Sequence, residues 1–221
     1  MSGVDHYGIL LAARSRALTV AVCTTGSTTL AATGSTYTRA AGSFITDGFR
    51  EGMEVTPAGF SDTTPRVITS VTATVMTVNG TPTAQVAASG RTLSVGMPTT
   101  FVSEGKLLKT RVTGVPHVVE FYVPGGAAKR GVGANGYVEL LPTYGLQLWG
   151  PDDTGAGALA SLADALLRHL KPETQLTLGS GEIALVRTQP APSAAPRTRL
   201  DDGWSVITLS FPLRLTTSNA S

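Results

Sequence analysis

The chain has 221 residues and a mass of 22.8 kDa, enough to bury a real core as one large domain or as a domain with a small insert. Charged residues make up only 14%, against roughly 25% in an average soluble domain, while hydrophobic residues reach 42% and mean hydropathy is +0.14. Much of so poorly charged a surface is expected to be covered by further copies or by partners, a net charge of +2 with no massed basic run gives no ground for nucleic-acid or membrane affinity, and the single cysteine, Cys23, excludes an internal disulfide framework.

Val4, Tyr7, Leu11, Leu18 and Val22 recur at three-, four- and seven-residue steps, which gathers them on one helical face and predicts a helix from about Val4 to Val22. Cys23 then reads as a small buried apolar residue near the helix end. The same stretch does not read as a secretory signal, because Asp5 precedes the apolar residues and Arg14 and Arg16 interrupt them. No run approaches the 18 or so apolar residues of a membrane span. The protein is therefore expected to be made and used in the cytoplasm.

From Ser27 the texture changes to Thr, Ser, Gly and Ala with short β-branched runs. The pieces MEVTPAG, RVITSV and TVMTVNG are bounded by Gly, Pro, Asp or Asn and predict strands. VITSVTATVMTV predicts a hairpin turning near Thr72 to Thr74, and a further strand is expected at Leu93 to Val95. Residues 27–100 thus read as an inserted small all-β domain, a barrel or sandwich with a thin core that packs on the main domain or on a neighbouring subunit.

The main domain, residues 1–26 and 101–221, then resumes. HVVEFYVP places Val119, Phe121 and Val123 on one side of a strand, and YGLQLW places Tyr144, Leu146 and Leu148 on one side of another. Between them GGAAKRGVGANG reads as a flexible or ligand-shaped loop. Leu159, Leu162, Ala163, Leu166, Leu167 and Leu170 predict a helix from about Gly155 to Leu170, capped by Asp153 or Thr154 and closed by Lys171-Pro172. A short strand is expected near Glu182 to Arg187, followed by a Pro-rich bridge, TQPAPSAAPRTRLDDG, that cannot join a central strand. In WSVITLSFPLRLT, Ile207, Leu209, Phe211, Leu213 and Leu215 share one face. The fold class expected is α+β: a mixed, mostly antiparallel sheet packed by two helices on one side, with the small all-β domain inserted.

The stretch LQLWGPDDTGAGALASLADALL runs from strand through a Gly-rich turn into a helix, as phosphate sites do, but Asp152 and Asp153 would repel a phosphate. Helix capping at the positive end of the dipole suits them better. GVGANG, residues 131–136, fits G-x-G-x-x-G formally, yet the extended YVELLP follows where a helix is required. His6, His117 and His169 sit on different elements without metal-ligand spacing, and His169 reads as a dipole partner at a helix end. Asp201 and Asp202 read as turn formers. No G-x-S-x-G elbow and no partner set for Cys23 exists, so no catalytic, cofactor or metal site is expected and the chain does not read as an enzyme. Lys129 and Arg130 are candidates for an inter-subunit or lumen contact, through an acidic neighbour or DNA phosphates; two solvated charges are the plainer reading.

GVPHVVEFYVP, the Gly-rich loop, YGLQLWGPDDTGAGALASLADALLRHL and DDGWSVITLSFPLRL, in that order, resemble the tail terminator family of long-tailed (siphovirus-type) bacteriophages over about Gly114 to Leu215. The resemblance implies a small α/β core that assembles as a ring, expected to be hexameric, on the head-proximal end of the tail tube. It implies three partners: further copies, the tail tube protein and a head-completion or connector protein. Genome DNA would pass through the lumen without sequence-specific binding, no membrane would be involved, and the protein would reside in the virion after assembly in the host cytoplasm. That family usually has a short segment where this chain carries residues 27–100. Two alternatives stand beside it: a head-completion or tail-tube protein, and a carbohydrate- or surface-binding module built on the insert, which would need exposed aromatics among Tyr37, Phe44, Phe49 and Phe60.

Overall fold

A computed structural model of the chain describes residues 6–103, 114–130, 137–152, 157–200 and 202–218. The first helix, α1 (His6–Leu18), stops where the β-branched run from Thr19 begins, and the Thr19 hydroxyl donates to the Arg16 carbonyl at 2.8 Å. The helix expected to reach Val22 gives way to a strand, β1 (Ala21–Thr24), which carries Cys23. There follow β2 (Leu30–Thr33), β3 (Thr36–Arg39), the one-turn helix α2 (Phe44–Asp47), β4 (Glu54–Ala58), β5 (Arg66–Val71), β6 (Val75–Val78), β7 (Gln85–Ala88) and β8 (Thr92–Gly96).

These eight strands form one antiparallel sheet in the order β1-β8-β4-β5-β6-β3-β2-β7. The β5–β6 hairpin turns at Thr72 to Thr74, as its sequence predicts, with the Thr72 amide donating to the Val75 carbonyl at 2.8 Å. The β2–β3 hairpin, built of Ala and Thr and turned at Gly34 with φ 57°, had no counterpart in the strand predictions. A separate apolar core sits on this sheet: Tyr37, Phe44, Phe49, Phe60, Ile68, Met76 and Leu93 are among its members. Ser43 caps α2 through its hydroxyl and Gly48, at φ 102°, ends it. Ala158 of the third helix packs against this small core, and Val22 of β1 packs against both cores, so the larger unit closes one side of it.

The larger unit contains β9 (Phe101–Val102), β10 (His117–Val123), β11 (Ala127–Arg130), β12 (Tyr137–Leu140), β13 (Thr143–Pro151), α3 (Gly157–His169), β14 (Gln175–Thr177), β15 (Ile183–Val186), β16 (Ser193–Ala194), β17 (Thr198–Arg199) and β18 (Trp204–Ser218). Its sheet runs β11-β12-β18-β13-β10-β9, with β15, β16 and β17 laid along the other edge of β18 and β14 outside β15. All pairings are antiparallel among the described residues except β9 with β10. The protein is thus mixed α+β and mostly β. Tyr144, Leu146 and Leu148 on β13, with Ile207, Leu209, Phe211, Leu213 and Leu215 on β18, form the buried face predicted from their alternation. Leu159, Leu162, Ala163, Leu166 and Leu170 from α3 close over it, as their spacing predicts. Gly150 lets α3 approach: a Cβ there would lie 3.1 Å from the Leu159 side chain.

One face, that of α1, is reversed from the sequence reading, and on β10 the three residues that share a side prove to be the outer ones. On α1 the core side is Ile9, Leu10, Ala13 and Ala17, while Tyr7, Leu11 and Leu18 of the expected stripe are exposed. The helix is apolar on more than one side, and its small residues, which let it sit close to the sheet, take the core. On β10 the buried side is Val118, Glu120 and Tyr122, opposite Leu148, Leu146 and Tyr144, whereas Val119, Phe121 and Val123 face outward.

Candidate functional site

The orientation of β10 has a chemical cause. Glu120 lies in the core with its side chain fully buried, and Arg14 of α1 grips it with both arms of its guanidinium, Nε at 3.0 Å from Oε2 and Nη2 on Oε1. The Tyr144 hydroxyl donates to Oε2 at 3.4 Å. This bidentate pair holds the Arg14 proton more tightly than usual, and burial, followed by the Glu120 charge, pushes the Tyr144 hydroxyl well above its ordinary range. Beside it, His6 Nδ1 lies 3.0 Å from the Tyr122 hydroxyl. The cluster is closed over by α1, so it ties helix to sheet and offers no opening to a substrate.

The outward face of the same sheet is different. Across β10, β13 and β18 it presents Val119, Phe121 and Val123, then Gln147 and Trp149, then Thr208 and Ser210. No Asp, Glu, Lys or Arg stands on this face between Val119 and Val123, Thr143 and Trp149, or Val206 and Ser210. Phe121 lies flat over Gly145, where a Cβ would come within 2.0 Å of the ring, so glycine keeps the face low at its centre. At one end His117, 2% exposed, stacks on Trp149 with centroids 5.6 Å apart and meets the edge of Trp204 at 5.1 Å. Among the described residues no helix covers this face. It is the broad uncharged surface of the described residues, and contact with a protein surface is the chemistry it suits.

The residues singled out from sequence are dispersed. Lys129 and Arg130 stand in the outermost strand of the sheet, β11, opposite Val138 and Tyr137, and not on the loop expected there; the hairpin pairing of β11 with β12 takes up their backbone. Their side chains, like GVGANG at 131–136, lie outside the described residues. Asp153, Thr154 and Asp201 also lie outside them.

Asp152 lies just past β13, five residues before Gly157, the first described residue of α3, and the capping reading falls on residues outside those described. Asp152 accepts a hydrogen bond from the Ser205 hydroxyl at 2.5 Å and ion-pairs with Arg197 and, at 3.2 Å, with Arg199, from the Pro-rich bridge. The Ser205 bond and the two arginines hold its carboxyl below the usual range. His169 Nε2 sits 3.0 Å from the Arg16 carbonyl and 3.1 Å from the Thr19 hydroxyl, joining the ends of α3 and α1; partial burial and then Arg16 lower its pKa. Cys23 is buried in the small core and its thiol is pushed up to about 12 by burial, which makes it inert.

One open groove of about 310 Å³ runs between Glu139, Glu173, Arg187, Thr188 and Arg214. Its two acids and two arginines balance, and Glu173 is held by the Thr188 hydroxyl at 2.9 Å. Among the described residues no cluster of three or more His, Cys, Asp or Glu side chains is placed to hold a metal, and no helix is long and apolar enough to cross a membrane.

No family model and no curated protein matches the chain. One solved protein structure is similar over 54% of this chain and 79% of its own length, at 14% identity and a TM-score of 0.42, too distant to bear on fold or function.

Proposed function

We propose that the chain is a structural subunit of a virion: a tail terminator of a long-tailed bacteriophage, whose copies close a ring, hexameric by resemblance, at the head-proximal end of the tail tube. There the ring ends tube growth and meets the head-completion or connector protein, while DNA passes through its lumen without sequence readout. The observation that carries this reading is the two-sided sheet, buried under α1 and α3 on one face and uncharged across three strands on the other. A surface of that kind, in a chain with so few charges, is what a subunit with large lateral contacts requires. The reading assigns no catalysis, and it places the protein in the virion after assembly in the host cytoplasm. Lys129 and Arg130, in the outermost strand, belong to a neighbour contact or the lumen wall.

The alternative of a surface-binding module draws no support from the insert, because Tyr37, Phe44, Phe49 and Phe60 are all buried. A tail-tube protein is the nearer rival. Light scattering with negative-stain microscopy, on the protein alone and mixed with its tube protein, separates them. Single closed rings, or rings capping tubes of limited length, are expected of a terminator. Long stacks would assign it to the tube, and a strict monomer that never caps a tube would end the reading.

A further inference from the structure

The Pro-rich bridge is a strap laid along one edge of β18. It touches that edge by two two-residue ladders, Ser193 and Ala194 opposite Ser210 and Leu209, and Thr198 and Arg199 opposite Val206 and Ser205. Single backbone bonds supplement them, from the Ala195 amide to the Thr208 carbonyl and the Leu200 amide to the Trp204 carbonyl, each 2.8 Å. Pro190, Pro192 and Pro196 remove donors from the ladder. No residue of the strap between Thr188 and Leu200 belongs to either apolar core. Its side-chain anchorage is therefore polar: Arg197 and Arg199 reach back to Asp152, which Ser205 fixes at the end of β13. A segment that adds no residue to an apolar core opens at low cost.

What lies beneath is unlike the strap. Trp204 to Phe211, WSVITLSF, is an eight-residue run without charge, glycine or proline, rich in β-branched and aromatic residues. An uncovered edge of that composition pairs with its own copy, because the backbone donors and acceptors are free and no side chain opposes the approach.

We propose that residues 188–200 are a latched edge cover: the Asp152–Arg197–Arg199 cluster holds the strap on β18, and unlatching opens residues 205–210 to antiparallel pairing with β18 of a second copy. Such a contact is two-fold and self-complementary. It is distinct from the outward sheet face and does not rest on the ring reading.

The test compares Asp152→Ala with the parent chain, both carrying Val119→Arg so that association through the outward face is silenced. Limited trypsin digestion reads the strap after Arg197 and Arg199; deuterium uptake reads the peptide covering residues 204–212; light scattering reads the mass. Loss of the latch is expected to speed cleavage about tenfold, the equivalent of removing two partly exposed ion pairs and a hydrogen bond. Uptake in β18 should rise at low concentration and fall again as the mass doubles at high concentration. Should Asp152→Ala not fold, Arg197→Ala with Arg199→Ala removes the latch from the other side and must give the same uptake and mass behaviour. Unchanged cleavage and uptake would overturn the latch, and an opened strap on a protein that stays monomeric at every concentration would overturn the self-pairing.

Discussion

In the small sheet the arginines are answered from close by: buried Arg39 meets Asp47 at 2.6 Å and lies over the Phe44 ring, and half-buried Arg66 meets Asp62 at 2.7 Å, one helical turn's distance in sequence. In the large sheet Arg14 reaches Glu120 across 106 positions of chain, and the pair is sealed between α1 and β10. The small unit is stitched by its own turns and needs the rest of the chain only along one side. The large unit is assembled from distant segments, and its charge pair specifies which face of α1 and which face of β10 turn inward. That specification leaves Val119, Phe121 and Val123 outside, so the buried pair on one face and the uncharged surface on the other have a common origin.

Breaking the long-range pair should cost most. Arg14→Ala strands a buried carboxylate and is expected to lower unfolding free energy by about 3 to 5 kcal/mol in chemical denaturation. Arg14→Met combined with Glu120→Leu, which removes both charges and fills the space, should recover most of that loss; a double variant as unstable as the single one would mean that packing, not charge, orients β10. Within the small unit, Phe44→Ala should cost about 3 kcal/mol through the cavity it leaves. Its signature is regional: deuterium uptake should rise in β3, β5 and β6 while β13 and α3 keep their protection. Uniform loosening of both sheets would show the two cores to be one cooperative unit.

The smallest expected effect is at the join of the two long helices. The folded pKa of His169 is depressed, so the unfolded chain takes up the proton first as pH falls. Its contribution is fully present above the ordinary histidine value of about 6.5 and declines as pH falls from there through the folded value. The effect is small, because His169 is only partly buried and solvent screens it. His169→Gln should flatten that part of the stability profile between pH 7 and 5; an unaltered profile would place the titration elsewhere.

The sequence was most legible where one period repeats without conflict. Five alternating apolar residues in β18 and the leucine ladder of α3 predict both the elements and their buried faces. It was least legible where the decisive partner is far along the chain. Nothing local marks Glu120 as buried, since a lone acid between valine and phenylalanine reads as a solvent position, and the guanidinium that reverses this lies in another element. The same holds for Asp152, whose place before a helix suggests a cap, while the arginines that claim it lie 45 and 47 positions on. In α1 the apolar residues are too many to single out one face, and the ion pair of Arg14 with Glu120, together with the close fit of Ala13 and Ala17, selects it. The β2–β3 hairpin was missed because Ala and Thr carry little strand signal apart from their partners.

On the proposed reading, copies of this chain meet through the outward face of the large sheet. The most direct test is the oligomer mass by light scattering of Val119→Arg, on that face, beside Val86→Arg, an equally drastic change at the 85% exposed Val86 on the edge of the small sheet. Val119→Arg is expected to leave a folded monomer while Val86→Arg assembles as the parent does. Assembly undisturbed by Val119→Arg, or abolished by Val86→Arg alone, would contradict it.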